Sequence, residues 1–237
     1  MTKPTAADQP QPLDICIAGS NAVIVYFAHS ISEAAASQVA ALTAQLKRAA
    51  PAWLIDLVPS YSSLLVVFNP LTTDPLAVKQ TLRACATQNT ESHQSSDQIV
   101  RLPVYYSEAS GPDLANLAER AKLSIAEVIE IHTASTYRVY AIGFAPGFAY
   151  LGEVDERIAA PRLSTPRTKV PKGAVAIADR QTAVYPAESP GGWNLIGRCP
   201  TPMFKPTATP TMPVQSGDLV QFYAIDEAEY LALGGKL

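Results

Sequence analysis

The sequence is poor in the residues that usually build metal sites and disulfide frameworks. Its 237 residues include three cysteines without C-x-x-C spacing, Cys16, Cys85 and Cys199. An odd number of cysteines at such spacings indicates neither a disulfide framework nor a zinc site. The three histidines are far apart and form no H-x-x-x-H pair: His29, His93 and His132. We therefore expect no metal site in this chain.

Charge and long apolar runs are also scarce. Charged residues make up 16% of the chain and hydrophobic residues 48%, which is typical of a globular protein. The net charge of −3 argues against nucleic acid as a partner. No run approaches the ~18 apolar residues of a membrane span. The first twelve residues are polar and proline-rich, unlike a signal peptide or an anchor. These features predict a cytoplasmic protein with a disordered tail at 1–12.

The common nucleotide-binding and hydrolase motifs are missing as well. The segment from Gly192 to Cys199 has the glycine spacing of a P-loop but lacks its Lys and Ser/Thr. The sequence contains no G-x-G-x-x-G, no G-x-S-x-G and no H-E-x-x-H. If ATP takes part, a conventional P-loop in this chain does not bind it.

The first half of the chain alternates strand and helix signals in the order β-α-β-β-α. The apolar run 22–27 has strand character, and Ser30 or Ser32 can cap a helix that runs to about Ala49. Strands at 53–58 and 64–68 follow, and Asp74-Pro75 opens a second helix. Adding 99–105 as a closing strand gives the split βαβ, or ferredoxin-like, arrangement, although that strand can instead belong to the next domain. We place this α+β domain at 13–92, with a polar linker after it.

The second half, 98–237, has a different pattern. Pro112-Asp113 starts one helix, and Ser124 with Glu127 forms a capping box that opens another. His132 lies on the apolar face of that second helix. From Tyr137 onward, short strands alternate with Gly and Pro, a pattern that predicts a β-barrel or sandwich.

Three Pro-cation pairs recur every five residues: Pro161-Arg162, Pro166-Arg167 and Pro171-Lys172. We call them the Pro-cation ladder. A five-residue step fits neither a helical face nor one side of a strand, and proline favours extended geometry, so the ladder predicts a stiff connector. Residues 157–205 hold eight Lys/Arg and two acids, a net of +6. Such a patch either binds a small anion or is a solvated basic surface.

Two glycine-proline turns flank the ladder, and His132 precedes both. Pro146-Gly147 predicts a type II turn, and we expect Phe144 and Phe148 to anchor this turn in apolar surroundings. Gly191-Gly192 beside Trp193 allows a backbone to approach a ligand, or forms a tight barrel corner. His132 is either a packed core residue or a general acid or base, with a pKa raised by the helix C-terminus and by Glu130.

Several irregular motifs resemble one known family. They are the segments 111–114, 137–152, 161–167, 170–173, 181–182, 185–186 and 189–198, which include Gly147, Gln181, Ser189 and Trp193. This pattern resembles the B subunit of 5-oxoprolinase, whose family is also labelled KipI (sporulation-kinase inhibitor) or allophanate hydrolase subunit 1. The N-terminal piece 58–70 is similar to the first domain of that family.

The resemblance implies an N-terminal ferredoxin-like domain followed by a C-terminal cyclophilin-like β-barrel. It implies ATP-dependent opening of 5-oxoproline to L-glutamate together with two partners, a related cyclophilin-like C subunit and an unrelated A subunit. In that setting we expect His132 and Arg167 to be catalytic. We expect substrate or phosphate to contact the following residues: Arg162, Lys172, Gly147, Gln181, Ser189, Gly191, Gly192 and Trp193.

Two other functions carry the same family label. One is a non-enzymatic regulator that inhibits a sensor histidine kinase, and the intact cationic and glycine motifs favour the enzyme over it. The other is a urea- or allophanate-metabolising subunit, but the chain carries no Gly/Ser-rich amidase signature and no biotinyl-lysine motif. Prolyl isomerase activity follows from fold analogy alone, which does not establish function.

Overall fold

The computed structural model describes residues 13–29, 32–87 and 99–237. The chain forms two units, Met1–His93 and Gln94–Leu237. The predicted tail and the predicted linker at 88–98 lie outside the described residues. In the part of the chain that is described, none of the helices has the length and apolarity needed to cross a bilayer.

The first unit is a four-stranded antiparallel sheet with two helices. Its elements are β1 (Asp14–Ile17), β2 (Ala22–Tyr26), α1 (Glu33–Ala49), β3 (Leu54–Pro59), β4 (Ser63–Phe68) and α2 (Pro75–Thr87). The strand order β1-β2-β4-β3 places β4 between β2 and β3, which α1 connects. The ferredoxin-like assignment of this unit stays a prediction. Both helices pack against one sheet face, because Leu42, Leu46, Val78 and Leu82 share a buried cluster with its inward side chains.

The fourth strand of this sheet is β1 rather than 99–105. Strand β1 pairs with β2 as an antiparallel hairpin, with Asp14 opposite Tyr26. The residues Ile99–Tyr105 form a strand of the second unit instead. The sequence allowed 99–105 to close the first sheet or to belong to the next domain, and the second assignment is correct.

The second unit is built around a closed barrel of seven strands. Within residues 99–237 the unit has nine strands, seven in the barrel and two in a separate sheet: β5 (Ile99–Tyr105), β6 (Thr136–Ile142), β7 (Ala149–Gly152), β8 (Arg167–Val170), β9 (Ala174–Ala178), β10 (Gln181–Val184), β11 (Ser189–Gly191), β12 (Asn194–Arg198) and β13 (Leu219–Ile225). The barrel order is β10-β7-β6-β13-β5-β12-β9, and β8 pairs with β11 in a separate two-stranded sheet. The helices are α3 (Leu114–Ala121), α4 (Ile125–Ala134) and α5 (Glu227–Ala232), with a 3₁₀ turn at Glu156–Ile158. The α+β class and the predicted closed barrel are confirmed.

Strand β9 shows that the barrel wall is buried on both sides. Val175 and Ile177 point into the interior, where they pack with residues from all seven barrel strands and from α3 and α4. The alternate side chains, Ala174, Ala176 and Ala178, point outward into a second buried cluster. We call the outward surface of β7, β9, β10 and β12 the outer face. Because these outward side chains are buried, another segment of the chain must lie over the outer face. That segment carries the candidate site.

The capping box that the sequence predicted opens α4. The Ser124 hydroxyl accepts the Glu127 backbone N–H at 3.2 Å, and the Glu127 carboxylate accepts the Ser124 backbone N–H at 2.7 Å. We expect Ser124→Ala to lower the free energy of unfolding by about 1 kcal/mol, because it leaves a helix-end donor unpaired. Urea unfolding measures the loss. Glu130→Gln, an exposed change on the same helix, is the control, and equal midpoints for the two variants would contradict the cap.

Candidate active face on the barrel wall

The Pro-cation ladder covers the outer face. Its strand β8 pairs with β11, which places Arg167 opposite Gly191 and Val170 opposite Ser189. The Leu163 backbone N–H donates to the Gly192 carbonyl at 2.7 Å. The Asn194 side-chain amide donates to the Pro161 carbonyl at 2.9 Å. The ladder is thus a tied, extended connector, as the proline spacing predicts.

Beneath the ladder lies a group of aromatic side chains that we call the aromatic platform: Phe148, Tyr150, Tyr185 and Trp193. The Phe148 ring meets Tyr185 edge-on at 5.2 Å and Trp193 at 5.6 Å between centroids. Phe148, Tyr185 and Trp193 are buried. The small outward alanines of β9 leave the room that these rings occupy.

Two ladder cations meet this platform. The Arg162 guanidinium lies over the Trp193 ring, 5.8 Å from its centroid. Arg167 Nη2 donates to Asp113 Oδ1 at 2.7 Å. Burial raises the pKa of the Tyr185 phenol, and the positive charges of Arg162 and Arg167 oppose that rise. The phenol therefore lies within the field of both guanidinium groups.

The third ladder cation, Lys172, and the neighbouring Lys169 are both exposed. Lys172 lies on the turn after β8. Lys169 reaches Glu188 at 3.5 Å in a solvent-exposed pair, which contributes little to stability. Hence the structure brings Arg162 and Arg167 to the platform but does not show Lys172 there.

The aromatic platform leaves no room for a side chain at position 191, whereas position 192 has room for one. A Cβ on Gly191 would lie 2.3 Å from Tyr185 Oη, and one on Gly192 would meet its nearest atoms at 3.6 Å. The Trp193 backbone N–H acts on the Tyr185 oxygen and opposes the rise in the pKa of the phenol that burial causes.

We expect Gly191→Ala to lower the free energy of unfolding by about 1–3 kcal/mol, since the buried Tyr185 ring must shift. Gly192→Ala is the matched control and should change it by less than ~0.5 kcal/mol. Urea unfolding followed by Trp193 fluorescence, with Trp53→Phe as the background, reports on this unit alone. Equal losses for the two variants would contradict the close approach of Gly191 and Tyr185.

Gly147 forms the predicted type II turn. Its φ is +86°, and the Phe148 backbone N–H donates to the Ala145 carbonyl at 3.0 Å. A Cβ there would lie 2.6 Å from the Met203 carbonyl oxygen, so the turn is a tight corner packed on backbone. The prediction that Phe144 anchors this turn in apolar surroundings is wrong. Its side chain is 64% exposed, although it still meets Phe148 edge-on at 5.2 Å.

Gln181 and Ser189 lie at strand starts. Gln181 begins β10 between Gly152 of β7 and Ala178 of β9. Ser189 begins β11 opposite Val170 and is half-buried. The structure places Ser189 in the ladder sheet and Gln181 in the barrel wall, and their roles toward a ligand stay predictions.

The prediction that the pKa of His132 is raised is wrong. His132 is fully buried, its Nδ1 lies 2.7 Å from Tyr106 Oη, and its Nε2 lies 3.0 Å from Thr182 Oγ1. Its ring stacks on Phe222 at 4.8 Å. Burial lowers the pKa of His132 to about 3, because desolvation outweighs the helix C-terminus. The imidazole is therefore neutral at pH 7.

His132 also lies on the other side of the barrel wall from the ladder. Side chains along β10 alternate, so Thr182 points inward with His132 while Ala183 and Tyr185 join the outer cluster. His132 therefore does not lie with the ladder cations, and its role as a general acid or base stays a prediction.

Sequence reasoning missed two residues of this face, Asp113 and Tyr185. The sequence predicts Asp113 at the start of a helix, and the structure places it there. Its carboxylate, however, accepts a hydrogen bond from Arg167 and makes none to the helix end. Tyr185 precedes Pro186 in one of the family-like segments, and this was the available signal for it.

Two further features bear on ligands. Within residues 13–29, 32–87 and 99–237, no cluster of three or more His, Cys, Asp or Glu side chains is placed to hold a metal ion. A cavity of about 350 Å³ lies along α4 and has the following lining: Leu123, Glu127, Glu130, Ile131, Ala134, Ser135 and Arg157. It contains none of the predicted site residues.

Comparison with known proteins identifies the family. Residues 13–214 match the carboxyltransferase domain, subdomains C and D. The B subunit of the Bacillus subtilis 5-oxoprolinase is 37% identical over 224 residues, covering 90% of this chain and 93% of the relative. The crystal structure of TTHA0988 superposes with a TM-score of 0.77 at 35% identity, over 86% of this chain and 40% of that one. This chain thus spans less than half of TTHA0988.

A more distant likeness concerns the fold alone. The urea amidolyase of Kluyveromyces lactis superposes with a TM-score of 0.72 at 18% identity, over 95% of this chain and 16% of that one. The family match and the Bacillus relative together decide membership. The chain belongs to the family of 5-oxoprolinase B subunits.

Proposed function

We propose that this chain is a subunit of an ATP-dependent 5-oxoprolinase, which opens 5-oxoproline to L-glutamate with ATP hydrolysis. The observation that carries the proposal is the pair of guanidinium groups, Arg162 and Arg167, set on the aromatic platform of the outer face. 5-Oxoproline is a flat five-membered lactam with one carboxylate. A flat ring suits an aromatic surface, and a carboxylate suits an Arg fork.

The reaction explains why cations are needed. A lactam carbonyl is a poor electrophile, so its oxygen is first phosphorylated by ATP and water then attacks the activated carbon. ATP and water are consumed, and glutamate, ADP and phosphate are released. Both the carboxylate and the phosphoryl group are anionic, and fixed positive groups stabilise the charge that develops on them. Arg162 and Arg167 supply such groups here, and exposed Lys172 is a third candidate.

The complex needs more than this chain. Its relatives are named as one lettered subunit of 5-oxoprolinase, which supports partners, and we propose a related cyclophilin-like C subunit and an unrelated A subunit. The sequence contains no P-loop, so we assign the ATP site to a partner. ATP as co-substrate also fits a cytoplasmic location.

The test is reconstitution. Co-expression of this chain with the other two subunits should give release of ADP and glutamate that depends on 5-oxoproline. Leaving out this chain should abolish both products, and 2-pyrrolidinone, the same ring without the carboxylate, should be a poor substrate. A full set of subunits that releases neither product, while the chain inhibits a sensor histidine kinase, would replace this proposal by the regulatory one.

A further inference from the structure

Asp113 occupies an unusual position at the start of α3. It is the N-cap residue of that helix, yet its carboxylate makes no capping bond to the helix. It is buried, with its side chain only 8% exposed. A buried carboxylate needs partners, so the groups that it contacts define its role.

The segment before α3 is bound closely to strand β12. A Cβ on Gly111 would lie 2.1 Å from the Ile196 carbonyl carbon, so only glycine allows this approach. The Asp113 backbone N–H donates to the Leu195 carbonyl at 3.0 Å. Asp113 Oδ2 accepts the Leu195 backbone N–H at 2.7 Å. One carboxylate oxygen is therefore anchored on the barrel wall.

The second oxygen holds the ladder. Asp113 Oδ1 accepts a hydrogen bond from Arg167 Nη2 at 2.7 Å. A guanidinium is a planar fork, so fixing one arm fixes the direction of the other. The other arm, Nη1, is buried and has no hydrogen-bond acceptor among the residues that the structure describes. Buried donors are nearly always paired, and one without an acceptor points to a missing partner.

We propose that Asp113 is a positioning residue that holds Arg167 so that Nη1 is left for an anionic oxygen of the substrate. The inference rests on the proposed function and deepens it, because it assigns one donor of this face to the substrate carboxylate. Arg162 differs, since it is exposed and lies over the Trp193 ring. Arg167 alone of the two is fixed by a buried carboxylate.

The test compares KM with kcat in the reconstituted complex. Asp113→Asn keeps an acceptor for Leu195 but removes the charge that holds Arg167. We expect KM for 5-oxoproline to rise about tenfold with kcat nearly unchanged, since a ground-state contact is loosened. Asp113→Asn in an Arg167→Gln background should add less than about twofold, because the two residues act as one unit.

The matched control is Asp155→Asn, which breaks another Asp–Arg pair. Asp155 Oδ2 lies 2.8 Å from Arg157 Nη2, at a more exposed place, and its loss should leave KM unchanged. A merely structural Asp113 would lower the amount of active enzyme and leave KM as it is. That result, or independent effects of Asp113 and Arg167 on KM, would overturn the proposal.

Unfolding of the isolated chain separates this inference from the proposed function. The urea midpoints of Asp113→Asn, Arg167→Gln and the double variant should be non-additive. A wild-type complex without turnover would overturn the proposed function only. In that case the unfolding cycle decides, and additive midpoint shifts would overturn the link between Asp113 and Arg167.

Discussion

A complex carrying Arg167→Gln is expected to show kcat/KM for 5-oxoproline lowered about 100-fold, chiefly through a higher KM, because a fixed charged donor to the substrate carboxylate is lost. Arg167 is held at 2.7 Å by Asp113 and lies in the sheet opposite Gly191. Gln is uncharged, so it restores neither the charge nor the fork. Steady-state kinetics over a range of 5-oxoproline concentrations measures the loss.

Two controls keep this result interpretable. Lys169→Gln removes a cation from the same strand, but Lys169 is exposed and 3.5 Å from Glu188, so kcat/KM should change less than about twofold. Arg167→Gln also leaves the buried Asp113 carboxylate without its counter-ion, which costs about 1–3 kcal/mol of stability. Rates are therefore normalised to folded complex. Similar losses for the two variants would mean that general basic charge, rather than a placed guanidinium, is what matters.

The stability of the barrel unit is expected to fall by about 2 kcal/mol between pH 7 and pH 5 because of His132. The folded state lowers the pKa of His132 to about 3, while the unfolded chain titrates near the ordinary value of about 6.5. Between these values the unfolded state binds the proton and the folded state does not. Lower pH therefore favours unfolding in this window, and most Asp and Glu titrate below it.

His132→Gln should remove this slope and lower the free energy of unfolding at pH 7 by about 2–4 kcal/mol. The loss arises because the ring stacked on Phe222 is gone and because Tyr106 or Thr182 loses its partner. Urea unfolding at pH 5, 6 and 7, followed by Trp193 in the Trp53→Phe background, separates the two effects. A variant that keeps the wild-type slope would show that other groups cause it.

Local signals in the sequence identified most helix starts and many of the strands. Ser32 caps α1, as one of two predicted serines. Asp74 accepts the backbone N–H groups of Leu76 and Ala77 at the start of α2, and Ser124 forms its capping box. These contacts join residues two or three positions apart, so sequence spacing is enough to predict them.

The site depended on contacts between distant positions, which spacing does not encode. Asp113 and Arg167 are 54 residues apart, and a Pro-Asp pair at a helix start already has a complete local explanation. His132 illustrates the opposite error. An apolar helix face predicts burial correctly, but a closed barrel has an inside and an outside, and the sequence does not say on which one a buried histidine lies.

Strand β9 shows the same limit. All five of its residues are apolar and buried, so alternation by polarity is lost, and only alternation by size remains. Large Val175 and Ile177 fill the interior, while three alanines face the platform. The sequence of a strand that separates two cores in this way does not distinguish it from an ordinary buried strand.

The most direct test of the account compares the two sides of the barrel wall in one reconstituted complex. The measurement is kcat/KM for 5-oxoproline, per folded complex, for Arg167→Gln on the outer face and His132→Gln in the interior. The account predicts a loss of about 100-fold for Arg167→Gln and less than about threefold for His132→Gln. A large loss for His132→Gln with near wild-type values for Arg167→Gln would contradict it, and would place the chemistry inside the barrel.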